Sequence, residues 1–514
     1  MRVNERKALA ELKAVDWDVI VVGGGITGAG VAREAVRRGL KTLLVEQQDY
    51  AWGTSSRSSK MVHGGLRYIA SGDIRLTWHS LVERERLLRE APGLVTRLGY
   101  WFAHYENAFP GPWVFGLLLR VYDLLARVRD HRYVKKAGFL AQMPGYREPG
   151  LRGASRYTDA LVDDARLVLR VLAEAQQAGA CLRNYTRVEA PLQYAGEVVG
   201  VRLRDVLNAE VVELPCRVLI NATGAWADRL RAPLALTPRV RPLRGSHLVL
   251  SQDRLAVSEA AIFMHPDDGR AVFIYPWEGR TLVGTTDLDH RDDLDQEAHI
   301  SHEELHYLLR AANSQFPSAK LVAADVLATF SGVRPIVSSG KGLHPSQEKR
   351  DHSVFLEQGL VTVTGGKLTT FRQIAIDALR AAAPRLGIEV RDRGEPVFAA
   401  APAGRLGSRF GAAAVELAAQ TQAGEDQLLP GLTYSWAELR WSLRHEQVVH
   451  LDDLLLRRTR IGLLWPQGGA EFLPRIGDLC RQELGWDMQR WQQELSRYQQ
   501  LWQTHYSLPA EEAR

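Results

Sequence analysis

Cysteine is scarce. The 514 residues hold three, Cys181, Cys216 and Cys480, far apart and in no CxxC or Cys/His spacing. That excludes a disulfide framework and a cysteine-built zinc or iron–sulfur site, so no metal is expected, and it fits reduced thiols in a cytoplasmic protein. Long apolar runs are also missing. No stretch approaches the roughly 20 residues that span a bilayer, and the opening MRVNERKALAELKAVDWD carries charges where a signal peptide has its apolar core. The chain is therefore expected not to cross a membrane. Charge of one sign is in short supply too: a net charge of +5 is mild for this length and argues against a nucleic-acid partner. What remains is ordinary globular usage, 46% apolar and 24% charged, in a chain long enough for two or three domains.

Residues 17–46 read as one βαβ unit: a short apolar strand from Trp17 to Val22, glycines, a helical pattern from Ile26 to Arg38, and a second strand from Lys41 to Val45 closed by Glu46. Helical patterns recur at about 77–97 and 163–178, β-rich stretches run from 185 to 222, and residues 271–277 and 281–285 suggest a hairpin. A strand-like run at 360–363 leads through Gly365-Gly366 into a helix from Thr369. Beyond about 385 the tail is mostly helical, with Leu484, Met488, Trp491, Leu495, Tyr498 and Trp502 on one expected helix face.

The turn Gly23-Gly24-Gly25-Ile26-Thr27-Gly28 has a mechanical purpose. Gly23 permits the tight exit from the strand, Gly25 lets the backbone approach a pyrophosphate, and Gly28 lets the helix pack close to the sheet. The N–H groups at the helix start then face the phosphates. Glu46 is placed to accept hydrogen bonds from adenosine ribose hydroxyls. The turn alone does not separate NAD from FAD. Asn221-Ala222-Thr223-Gly224 and the later Gly365-Gly366 turn favour FAD, since a helix start near the end of the cofactor domain suits the flavin N1–C2=O edge.

With these segments in place, the chain resembles the FAD-dependent, aerobic, quinone-linked glycerol-3-phosphate dehydrogenases. The resemblance rests on the glycine turn, Thr54-Ser55-Ser56-Arg57-Ser58-Ser59-Lys60, His63-Gly64-Gly65-Leu66-Arg67-Tyr68 and Val162-Asp163-Asp164-Ala165-Arg166-Leu167. It continues through Asn221-Ala222-Thr223-Gly224, Gly245-Ser246-His247, Gly284-Thr285-Thr286-Asp287, Ser331-Gly332-Val333-Arg334-Pro335 and Gly366-Lys367-Leu368-Thr369-Thr370. The motifs keep their order from about residue 16 to 380, and the tail, with His445-Glu446 and Arg457-Arg458-Thr459-Arg460, continues it loosely. About a dozen residues before the first strand exceed the family minimum, and the stretch from Thr96 to Ala141 matches in character only.

The resemblance implies an α/β fold: a Rossmann-like FAD domain of the amino-acid-oxidase type (14–80, 150–235, 330–385), a β-rich substrate domain (81–149, 236–329) and a helical C-terminal domain (386–514). It implies oxidation of sn-glycerol 3-phosphate to dihydroxyacetone phosphate, with electrons passing to ubiquinone or menaquinone. FAD contacts are implied at Gly23, Gly25, Ile26, Thr27, Gly28, Glu46, Thr54, Ser55, Ser59, Lys60, His63, Gly64, Gly65 and Leu66. They continue at Val188, Ala222, Thr223, Gly224, Gly332, Gly366, Lys367, Leu368 and Thr369. A phosphomonoester dianion needs rigid positive donors, and Arg67, Arg334 and Lys367, each beside glycines, are the candidates, with Tyr68 as a neighbour. The base that takes the C2 hydroxyl proton is His63 or His247, and the sequence leaves that choice open. His247→Ala is expected to slow flavin reduction more than it weakens substrate binding.

Quinone lives in the bilayer, so a membrane-facing surface is expected. Residues 112–128 (PWVFGLLLRVYDLLARV) are the candidate, with Gly116, Arg120, Asp123 and Arg127 on one face and basic residues following. Attachment to the cytoplasmic face of the inner membrane, and a homodimer, are further expectations. The competing readings are an oxidase that passes electrons to oxygen and releases peroxide, a related flavoenzyme acting on amino acids, and a flavin-binding protein without turnover. The anaerobic form of the dehydrogenase is disfavoured because the tail has no cysteine cluster.

Overall fold

Strand Trp17–Val22 is apolar on both faces and almost wholly buried, which suits the centre of a parallel sheet. The computed structural model, which describes residues 6–70, 72–338 and 351–510, puts it there. Thr42–Val45 and Val211–Asn221 flank it in parallel, Cys181–Arg183 and Leu360–Gly365 continue the sheet in parallel on either side, and His352–Glu357 closes one edge antiparallel. Thr186–Tyr194 and Glu197–Asp205 add an antiparallel extension to the first half of Val211–Asn221. Helices Ile26–Arg37, Asp164–Gln177 and Phe371–Leu386 pack together in one buried apolar cluster with this sheet.

A second, ten-stranded sheet is built around the long strands Val95–Tyr105, Leu151–Val162, Val240–Ser251 and Val326–Val337. The expected hairpin is present as Ala271–Trp277 and Arg280–Gly284. Strand Leu151–Val162, and Val326–Val337 as well, pair within this sheet rather than with the cofactor sheet, so the two layers share chain more intimately than contiguous blocks suggest. The patterned stretch at 77–97 divides into helix Ile74–Glu90 and the start of a strand at Val95.

The C-terminal helices dock through buried ion pairs. Arg458 donates from both terminal nitrogens to Asp49 (2.6 and 2.7 Å), and Arg457 joins the same carboxylate. Arg460 reaches Asp163 and Asp164, and Arg166 meets Glu446. The tail pattern is split: Leu484 ends helix Leu473–Leu484, Gly485 is left-handed (φ 69°), and the remaining five residues lie on Met488–His505. Of these, Trp491 and Tyr498 are buried while Met488 is exposed, so one continuous face is replaced by two helices meeting at a glycine cap. No helix among the described residues is long and apolar enough to cross a membrane.

Candidate active site

Gly23 leaves its strand at φ 115°, and a Cβ there would meet the Ala222 carbonyl. A Cβ at Gly28 would collide with the Gly23 carbonyl oxygen, so only glycine allows the helix to seat on the turn. Gly24 N–H donates to Glu46 Oε2 (2.7 Å) and Gln48 N–H to Oε1 (3.0 Å), while Ile26 N–H donates to Ser55 Oγ (3.0 Å). Burial raises the Glu46 carboxyl, offset in part by those N–H groups. The acid expected to meet a ribose thus also braces the glycine turn.

This turn lines one end of a cavity of about 1390 Å³, above the roughly 300–1,000 Å³ of a usual small-molecule pocket and suited to a dinucleotide with a second ligand. Glu46 and Val188 border that end. Ala222, Thr223 and Gly224 line the middle, where Ala222 N–H donates to the Val22 carbonyl (2.9 Å) and Asn221 Oδ1 accepts from Thr223. Ser55 lines the cavity beside the glycine turn, and Thr54, Ser59, His63, Gly65, Leu66, Gly332 and the segment Gly366, Lys367, Leu368 and Thr369 line the far end, leading into helix Phe371–Leu386. The glycine cradle, the paired starts of helices Ile26–Arg37 and Phe371–Leu386 and the cavity size fit FAD.

Three expected cofactor contacts do not border the cavity, for physical reasons: Gly28, which is packed against the Gly23 carbonyl, and Lys60 and Gly64. Lys60 is fully buried and turns away: its ammonium donates to the Ser56 carbonyl (2.6 Å) and to Asp164 (2.9 and 3.0 Å) and lies 4.5 Å from the Phe330 ring. Burial draws it down to about 8 against the pull of Asp164. Gly64 is packed under Leu81, with its N–H donating to Tyr122 Oη and Asp159 Oδ1 (both 3.0 Å). Arg84 (2.6 Å) and Tyr122 (2.7 Å) donate to the same Asp159 oxygen, so these three side chains, unannounced by any motif, hold the turn that presents His63.

The two histidines differ sharply. His63 borders the cavity. His247 does not; it is 1% exposed, stacked on Phe330, with Nε2 2.9 Å from Ser59 Oγ. Burial, then the charges of Arg334 and Lys60, hold it neutral well below the usual histidine range. Ser59, which does border the cavity, links His247 to it by a hydrogen bond.

Arg334 borders the far end, lying over Gly245, where any Cβ would strike its guanidinium. It donates to Asp287 Oδ1 (2.9 Å) and Thr285 Oγ1 (3.0 Å). Lys367 Nζ donates to Ser80 Oγ (2.8 Å) and sits 4.2 Å from the centre of the Tyr68 ring. Ser80, Thr285 and Asp287 are thus the polar partners of these two cations, and no motif in the sequence gives them that place. Arg67 lies on the short helix Leu66–Ala70, and its side chain is outside the described residues. Asp123, expected to share one helix face with Arg120 and Arg127, is buried while those two are exposed, since it accepts from the N–H groups of Asp130 and His131 and pairs with the His131 ring (2.7 Å).

The family model "FAD dependent oxidoreductase" matches residues 18–372, and the model "C-terminal domain of alpha-glycerophosphate oxidase" matches 372–491. The glycerol-3-phosphate dehydrogenase of Mycobacterium leprae is 35% identical over 94% of this chain and 87% of its own. The chain belongs to the FAD-dependent glycerol-3-phosphate dehydrogenase/oxidase family. Its cofactor is FAD. The aerobic glycerol-3-phosphate dehydrogenase of Bacillus subtilis is 35% identical over 72% of this chain and 67% of its own. Among solved structures, the glycerol-3-phosphate dehydrogenase of Bacillus halodurans with FAD aligns at a TM-score of 0.78 and 25% identity, covering 97% of this chain and 96% of that one. The L-α-glycerophosphate oxidase of Mycoplasma pneumoniae shares the fold at a TM-score of 0.58.

Proposed function

We propose that the protein oxidises sn-glycerol 3-phosphate to dihydroxyacetone phosphate and passes the electrons to a membrane quinone. One observation carries the substrate half: a single cavity joins the dinucleotide cradle to an end where His63, Arg334, Lys367 and Tyr68 converge. Bound FAD supplies the acceptor for the hydride leaving substrate C2. Arg334 and Lys367 bind the phosphate dianion and orient C2; Tyr68 backs the lysine through its ring. His63 takes the C2 hydroxyl proton, being the histidine with direct access. His247 acts as a positioning residue through Ser59. Glycerol 3-phosphate added anaerobically to the purified holoenzyme is expected to bleach the visible absorption of the flavin. A spectrum left unchanged by it would sink this reading.

The acceptor half is supported by helix Pro112–Ala126. Its residues Val114, Phe115, Leu117, Leu118 and Val121 border the same cavity, while Trp113 (89%), Leu117 (63%) and Leu124 (76%) are exposed to solvent. Arg120, Arg127 and Arg129 are exposed beside them. Apolar side chains flanked by cations suit the cytoplasmic surface of an anionic bilayer, and an apolar wall leading inward suits a quinone. The charge-removing variant R120Q/R127Q/R129Q should lose binding to anionic vesicles; equal binding would refute the surface. The match to an oxidase C-terminal domain favours oxygen as the second reading. Peroxide release measured against reduction of a quinone analogue separates the two.

A further inference from the structure

The segment Gly284-Thr285-Thr286-Asp287 has a role beyond ending a strand. Asp287 is buried at the cavity wall, and each of its carboxylate oxygens meets a different guanidinium. Oδ1 accepts from Arg334 Nη1 (2.9 Å), and Oδ2 lies 3.5 Å from Arg270 Nη2. The Asp287 main-chain carbonyl also accepts from Arg270 Nη1 (3.2 Å). We propose that Arg270 is a further phosphate-binding residue, held beside Arg334 by the shared carboxylate of Asp287, and that Asp287 is the positioning residue for both.

Arg270 is precisely seated by its chain neighbours rather than hanging from a loose loop: its N–H donates to Asp268 Oδ1 (3.0 Å) and its carbonyl accepts from His265 N–H (2.7 Å). The frame on the other side is equally fixed. Thr286 Oγ1 donates to the buried Glu304 (2.6 Å) and accepts from Ser246 N–H (2.8 Å). Gly269, Arg270, Thr285, Asp287 and Arg334 all border the cavity. Both arginine side chains are about one-fifth exposed, 21% for Arg270 and 23% for Arg334, so their charge is partly desolvated. Asp287 engages one terminal nitrogen of Arg334 and, through its carboxylate and its carbonyl, both of Arg270, which fixes the plane of each guanidinium at the cavity wall. Two guanidiniums match the three oxygens of a phosphoryl group better than one arginine and a lysine do, because a dianion takes several charge-assisted hydrogen bonds at once. The ligand class is a phosphomonoester, so this inference sharpens how the enzyme tells glycerol 3-phosphate from glycerol.

The inference rests on the functional reading above, and the test separates the two. In the holoenzyme, R270Q is expected to raise the KM for glycerol 3-phosphate by roughly 10- to 100-fold, the scale of a lost hydrogen bond to a charged group. The limiting rate of anaerobic flavin reduction should fall far less. Calorimetric affinity for inorganic phosphate should weaken alongside, R270K should restore part of both, and D287N should weaken both through the two arginines. An Arg270–Asp287 pair that only staples a loop would lower stability and leave KM and phosphate affinity unchanged; that outcome overturns the proposal. Should R270Q not fold, R270K decides, since unchanged KM and phosphate affinity there overturn it equally. If the wild-type flavin is not reduced by glycerol 3-phosphate but phosphate affinity still depends on Arg270, the functional reading fails and the phosphate site stands.

Discussion

At one end of the cavity the groups that face the ligand are mostly backbone; at the other they are mostly side chains. The dinucleotide end is a turn whose glycines bring N–H groups and carbonyls to van der Waals limits, with Glu46 bracing it. The other end gathers His63 and Tyr68 from one early segment with Arg334 and Lys367 from two late ones, and three of the four are steadied from elsewhere: Asp159 for the His63 turn, Asp287 for Arg334, Ser80 for Lys367. Backbone cradles tolerate almost no added volume but read only general shape. Side-chain clusters tolerate more change and carry the chemistry. The C-terminal domain supports both ends, with Arg457 and Arg458 under the loop at Asp49 and Arg460 under the segment at Asp164.

The comparison is most open to attack at the chemical end. His63→Gln should slow anaerobic flavin reduction by about 10²–10⁴, the usual worth of a general base, with substrate affinity little changed in stopped-flow traces. A rate within error of wild type would move the proton's destination elsewhere. Next in size is the support beneath the cradle. Arg458→Ala leaves Asp49 short of a partner in a fully buried ion pair and should cost about 3–5 kcal/mol in chemical unfolding. A small change there would mean that the C-terminal domain merely rests on the cofactor sheet.

The cradle itself comes next. Gly28→Ala forces a methyl group against the Gly23 carbonyl, and the turn must shift to accept it. Overpacking of this kind costs about 1–3 kcal/mol, to be read as weaker FAD binding on titration of apoprotein. Unaltered affinity would show that the turn is softer than its geometry implies. The smallest effect sits behind the site. His247 stays neutral when native, whereas in the unfolded chain it gains a proton below about pH 6.5. The unfolded state then binds more protons, so this residue lowers stability as the pH falls through 6.5. His247→Gln should flatten the acid side of the stability curve by up to about 1.4 kcal/mol per pH unit, and should slow flavin reduction less than His63→Gln does. If it slows reduction more, the relay through Ser59 matters beyond positioning.

The difference between the ends also explains what could be read in advance. The glycine turn, its flanking strands and Glu46 are contiguous, and their meaning depends on backbone geometry that neighbouring residues dictate. The motifs at 63–68, 245–247, 284–287, 331–335 and 366–370 were visible as residue strings, but their mutual contacts were not. Nothing in the string says that His247 lies behind Ser59, that Lys60 turns into Asp164, or that Asp123 folds inward on His131. Each outcome follows from which partner the tertiary packing brings within hydrogen-bonding reach, and from the cost of leaving a buried polar group unpaired.

By itself, the sequence determined the βαβ start, the glycine cradle and the family to which the chain belongs. Local sterics and short-range periodicity are enough for the first two, and residue types in fixed order for the last. Only the tertiary structure decided which histidine faces the cavity, which carboxylate orients which arginine, and which side of helix Pro112–Ala126 is left exposed. Those are questions of long-range contact, and a contact between residues far apart in the chain is fixed by the packing of whole sheets, not by the residues beside it.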